Sequence, residues 1–227
     1  MHKTKTVYCP SSEMLLNYAM GNLAEAESLI VSGHVAYCGQ CKSQVLKYEN
    51  MGGFYLKNHE ELEVSKDLWA KLEKKVSNLE QDCCNTNYID YKLKSTLLDE
   101  EIRIPSFLRS YLENKMDTKS WKSTINNVRY ANLEFKDKSF TGKILEIPPG
   151  KSMPKHGHEG DEATLVLHGG YMDEVGDYHK GDLVFASDNH VHSPVSSKET
   201  GCICVVVYSG SIRFKGILGT FLNFSKF

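Results

Sequence analysis

The chain has 227 residues, 41% hydrophobic and 25% charged, with a formal net charge of −2 at pH 7. This is the balance of a folded globular protein with room for one large domain or two ordinary ones. It gives no electrostatic case for general nucleic-acid binding, and no apolar run approaches the roughly 20 residues that span a bilayer. The start, Met1-His2-Lys3-Thr4-Lys5, lacks the apolar stretch of a signal peptide, so a cytoplasmic protein with no membrane partner is expected. Seven cysteines in that compartment point to metal or thiol chemistry rather than a disulfide framework. Residues 1–90 hold nine Lys, no Arg and twelve acidic residues. An acidic, Arg-free segment reads DNA poorly and suits a basic protein partner better.

Ser11 and Ser12 are caps for a first helix carrying Met14, Leu15, Tyr18 and Ala19, which Gly21 ends. One longer helix is expected over residues 23–48, broken by Met51-Gly52-Gly53. An amphipathic helix over 64–79 sets Leu68, Leu72 and Val76 on one face, opposite Lys and Glu. Residues 83–104 are polar and read as a linker; 105–115 read as a short helix. Beyond Trp121 the period changes to two, in short runs such as Ile144-Leu145, 164–167, 183–185 and 203–208. Turns are expected at Pro148-Pro149-Gly150, His168-Gly169-Gly170, Lys180-Gly181-Asp182 and Ser209-Gly210. The fold class is thus α+β in two domains: an all-α unit over 1–82, a linker over 83–104 and an all-β barrel or jelly roll over 105–227.

Two ligand sets stand out. At about 100° per residue, His34, Cys38 and Cys41 share one face of a helix, and Cys9 precedes the helix that a hairpin would fold back onto it. Three thiols and an imidazole make a closed tetrahedral zinc site, one that fastens a domain too small for a deep core. In the β part, His156 and His158 point to the same side of a strand, and Glu162 follows a short turn into the same interior. A later histidine, His192 or His190, completes a nitrogen and oxygen set that suits Zn, Fe, Mn or Ni. Cys202 and Cys204 read as core thiols, and Cys83-Cys84 as an adjacent pair in the linker.

The run from Cys9 to Leu23, followed by Gly33-His34-Val-Ala-Tyr-Cys38-Gly-Gln-Cys41, resembles the zinc-binding anti-sigma factors. Within them the ChrR-like, cupin-tailed branch is most similar, because Gly150-x5-His156-x-His158-x3-Glu162-x6-Gly169 fits the first cupin motif. The second motif keeps Gly181-Asp182 but lacks its Pro-Gly pair and terminal Asn. One ligand departs from the pattern: the first position, usually His, is Cys9. The resemblance implies a cytoplasmic anti-sigma factor that binds an extracytoplasmic-function (ECF) sigma factor through its zinc-dependent helical domain. It favours His192 as the late ligand and zinc as the cupin metal. It also implies that the cupin answers an oxidative signal, singlet oxygen or an organic hydroperoxide, with a small oxidised ligand as a further expected partner. A competing expectation is a cupin metalloenzyme, a dioxygenase or isomerase, with a helical regulatory domain.

Overall fold

The structure, a computed structural model, describes residues 8–214 apart from 62, 80–90, 96, 99, 113–115 and 188–190. The expected pair Cys83-Cys84 and the alternative ligand His190 lie outside the described residues. No helix among the described residues is long and apolar enough to cross a membrane.

Four helices come first. Helix α1 (Ser12–Ala19) starts where Ser11 Oγ accepts the Met14 amide at 3.1 Å, as its capping residue predicts. In α2 (Glu25–Tyr37) the Glu27 carboxylate accepts the Ala24 amide at 3.0 Å, half of a capping box. Helix α3 (Gly39–Lys57) follows after a single residue, and α4 (Lys66–Ser77) is capped by Ser65. The expected single helix over 23–48 is therefore two. Cys38 breaks it, with φ −99° and ψ 103°. On a straight helix residues seven apart lie about 10.5 Å apart along the axis, and the break lets the His34 and Cys41 side chains meet. Gly52-Gly53 do not end α3, which runs on through them at a cost of about 1 kcal/mol each relative to Ala.

The expected linker contains a hairpin of β1 (Tyr91–Ser95) and β2 (Glu100–Ile104) that buries Leu93, Ile102 and Ile104. Its Lys and Glu residues obscured an alternation that was already present. A 3-10 turn (Ser106–Leu108) and a one-turn helix α5 (Arg109–Leu112) occupy the expected short helix. Short β3 (Lys122–Ser123) leads to β4 (Arg129–Leu133) and β5 (Phe140–Ile147). Then come β6 (His156–His158), β7 (Glu162–Met172), β8 (Asp177–His179) and β9 (Leu183–Ala186). Strands β10 (Val195–Ser196), β11 (Cys202–Ser209) and β12 (Ile212–Phe214) are the last of the described elements. The main antiparallel sheet runs β3-β4-β5-β11-β7-β10, with β8 and β9 also on β7, while β12 pairs with β6. This is the curled sheet of a cupin-type half-barrel.

The expected turn at 168–170 is instead a kink inside the long strand β7. Gly169 has φ +62° there, and the ladder with β11 shifts register between Ile203 and Cys204. A Cβ on Gly169 would collide with the Gly201 carbonyl, so only glycine lets the two strands approach at the bend. The other expected turns hold, with positive φ at Gly150, Gly181 and Gly210.

Pairing aligns Ile144, Val205 and Leu165 across β5, β11 and β7 on one face of the sheet. Those side chains join Ala26, Leu29 and Ile30 of α2 in a single buried core. A Cβ on Gly33 would strike Leu165 and Phe107, so the absence of a side chain lets α2 lie directly on the strands. Glu25 anchors one end of α2, accepting the Lys136 amide at 2.8 Å and the Tyr111 hydroxyl at 3.0 Å. The opposite face of the sheet, with Leu145, Cys204, Val206 and Tyr208, forms a second core around the barrel interior.

Candidate metal centres

The break at Cys38 brings Cys9, His34, Cys38 and Cys41 together, with one ligand atom from each within 4.8 Å of the others. His34 Nε2 lies 3.3 Å from Cys41 Sγ, and Cys9 Sγ lies 3.9 Å from Cys38 Sγ. The other nitrogen, His34 Nδ1, lies 2.8 Å from the Gly181 carbonyl oxygen, in the β part of the chain. A proton held on Nδ1 for that carbonyl leaves the Nε2 lone pair facing the thiols, which orients the ring for a metal. Burial depresses the His34 pKa, favouring the neutral ligand form. Burial, together with neighbouring Cys38 and Cys9, pushes the Cys41 thiol far above the ordinary range. Three crowded thiols facing one imidazole nitrogen are unfavourable as mutual neighbours and suit a thiophilic cation. The donor set fits.

In the barrel, His156 and His158 come from β6 and His192 from the segment that bridges to it. Their ligand nitrogens lie within 4.8 Å of one another, with Nε2 of His192 3.1 Å from that of His156 and 3.4 Å from that of His158. Glu162, first residue of β7, stands beside the trio, Oε2 3.4 Å from His158 Nε2 and Oε1 4.0 Å from His192 Nε2. All four are buried. Burial raises the Glu162 carboxyl to about 8, and a hydrogen bond with Thr164 only partly offsets this, so a nearby cation is what would keep it ionised at neutral pH. His156 Nδ1 lies 2.7 Å from the Pro154 carbonyl oxygen and His192 Nδ1 lies 3.3 Å from Asp173 Oδ2. Both contacts leave Nε2 turned inward, as metal-ligating imidazoles require.

Asp173 is the functional residue that sequence reasoning missed. Burial alone would raise its carboxyl. The amides of Val175 and Gly176, His192 and the Tyr178 hydroxyl together hold it below the usual carboxylate range instead. Its only sequence signal is an Asp-x-x-Gly turn, which carries no hint of a partner 19 residues on. Tyr178 in turn packs edge-on against Tyr8, ring centroids 4.7 Å apart. Tyr8, next to Cys9, donates its amide to Asp182 and accepts the Leu183 amide at 3.0 Å. A continuous line of contacts thus joins Cys9 of one centre to His192 of the other.

His156 and His192 open onto a cavity of about 60 Å³ on the inner face of the sheet. Cys202 and Cys204 are buried, as expected of core thiols, and Cys204 also lines this cavity.

Residues 112–211 match the ChrR cupin-like domain family. The chain is 28% identical over 208 residues to the anti-sigma-E factor ChrR of Cereibacter sphaeroides, covering 92% of each sequence. It also matches the crystal structure of Rhodobacter sphaeroides SigE in complex with the anti-sigma ChrR. The TM-score is 0.70 at 25% identity, covering 90% of this chain and 100% of that one. The resemblance read from the two ligand sets therefore extends over nearly the whole chain, which is similar to ChrR in having a helical Cys3His unit followed by a cupin-type domain.

Proposed function

We propose that the chain is an anti-sigma factor: its helical part binds an ECF sigma factor, and its cupin part receives the signal that ends the binding. The observation that carries this reading is α4. Its apolar stripe, Leu68, Leu72 and Val76, with Trp69 beside it, is exposed by 46–62%, and none of its residues is buried. The end of α3 is alike, with Met51, Phe54, Tyr55 and Leu56 exposed. A 12-residue helix is marginal in water unless an apolar face is covered, so such a surface belongs against a protein partner. The ChrR likeness supports a sigma factor as that partner.

Cys9, His34, Cys38 and Cys41 would hold zinc, which supplies structural cross-linking between α1, α2 and α3. His156, His158, Glu162 and His192 would hold the second ion, zinc as the resemblance read from the sequence implies, with Fe, Mn or Ni admitted by the same donors. In the barrel such an ion supplies a Lewis-acidic centre open to the cavity. The chain's own residues do the rest. Asp173 fixes the His192 ring, Tyr178 ties Asp173 to Tyr8, and Tyr8 sits beside Cys9. An oxidative signal, or an oxidised ligand in the cavity, would displace these contacts and loosen the helices. Residues 1–82 act as the clamp and 105–227 as the receiver.

Capture of an ECF sigma factor by the purified chain tests the reading, and loss of capture on changing α4 localises it. The open imidazole cavity favours one alternative, a cupin dioxygenase or isomerase. Turnover of an organic substrate by the Fe(II)-loaded chain would support it.

A further inference from the structure

The cavity wall is mostly aliphatic or aromatic: Leu145, Ile147, Met153, Val206 and Ile212, with Tyr171 and Tyr208. Lys143 is an exception. It lies on β5 opposite Val206 of β11, on the inner face, and only 4% of it is exposed. Its ammonium lies 4.9 Å from the Tyr130 ring centroid and 6.0 Å from that of Tyr208, so the two rings hold the charge at the wall. Glu162, the lining carboxylate, is turned to His158 and His192. A divalent ion held there would absorb its charge, and the wall as a whole would then be cationic.

We propose that this cavity binds a small organic monocarboxylate, its head taken by the Lys143 ammonium and its short alkyl part lying on Leu145, Ile147, Met153 and Val206. Three features select the class. A cation on a low-dielectric wall favours an anion strongly. The apolar lining disfavours inorganic phosphate or sulfate, whose hydration it cannot replace. Size sets the length: about 10–15 Å³ of such volume holds one water, so the cavity of about 60 Å³ takes roughly four to six heavy atoms, propionate or butyrate in scale. Burial, with Lys122 nearby, lowers the Lys143 ammonium to about 8, which leaves it charged at pH 7. For its regulatory meaning the inference rests on the receiver role proposed above, while the binding itself needs no sigma factor.

The test is isothermal titration calorimetry of the full, metal-loaded chain at pH 7 with butyrate, butan-1-ol and butylammonium. Butyrate is expected to bind at one per chain, with the alcohol and the amine weaker by about tenfold or more. Lys143→Met, close in length and apolar, is expected to weaken butyrate by at least about tenfold with metal content unchanged. Butyrate binding no tighter than butanol overturns the proposal. So does a folded K143M chain that binds butyrate like the parent, since the carboxylate would then sit on the ion. The alcohol and amine comparison uses the unaltered chain, so it can still overturn the proposal if K143M does not fold. A chain that takes up butyrate but captures no sigma factor upholds the inference and defeats the receiver reading; the reverse outcome defeats the inference alone.

Discussion

At Cys38 one residue ends α2, starts α3 and turns its sulfur toward Cys9. The ligand types and their order were legible in the sequence, because donor chemistry depends on residue identity alone. The break was not, because Gly39 beside Cys38 is no stronger a signal than Gly33 or Gly52-Gly53, which the helices run through. Since the Cys41 thiol is held protonated far above its usual range, metal must displace that proton, and acid must weaken uptake. Affinity at the Cys3His site should fall by about tenfold or more for each pH unit lowered, readable by chelator competition between pH 8 and 6. Asp173→Asn, which removes the charge behind His192, should weaken the barrel site about 10–100-fold and leave the Cys3His site unchanged. Metal counts after dialysis against graded chelator check both halves of that statement.

Among the elements, α2 and α4 answer opposite demands. Helix α2 is pressed onto the sheet at Gly33, where Val would be driven into Leu165 and Phe107. Gly33→Val should cost about 1–3 kcal/mol and lower the melting temperature by several degrees. Gly52→Ala, in α3 with open space around it, should raise stability by about 0.5–1 kcal/mol, and the same thermal melt reads both. Helix α4 touches little, so Leu72→Asp should leave the melt within about 0.5 kcal/mol of the parent while weakening sigma capture about thirtyfold. The stripe of α4 was legible because its period survives without tertiary context. The β1-β2 hairpin was missed because its apolar residues alternate with Lys, Glu and Arg, which mimic a solvated linker.

Across the whole molecule, one sheet serves two masters. Ile144, Leu165 and Val205 face the helices, while Leu145, Cys204 and Val206 face the cavity, so a shift on either side is felt on the other. Strand period showed which residues alternate, yet which face meets the helices is set by pairings far apart in sequence. That is why the line of contact through Tyr8, Tyr178, Asp173 and His192 had no sequence signature. Tyr178→Phe keeps the ring and removes the hydroxyl, breaking one contact of that line in advance, so sigma capture should be weakened before any signal is given. Capture is scored by size-exclusion chromatography before and after an organic hydroperoxide. The central claim, a metal-dependent clamp on an ECF sigma factor, is tested most directly by co-expressing the chain with such a factor and measuring complex and metal in one sample. A one-to-one complex with about two metal ions per chain, losing one ion and the complex on changing Cys38 and Cys41 to Ser, is the predicted result. An unaltered chain that captures no sigma factor, or a Cys38/Cys41 variant that still holds it, would contradict the account.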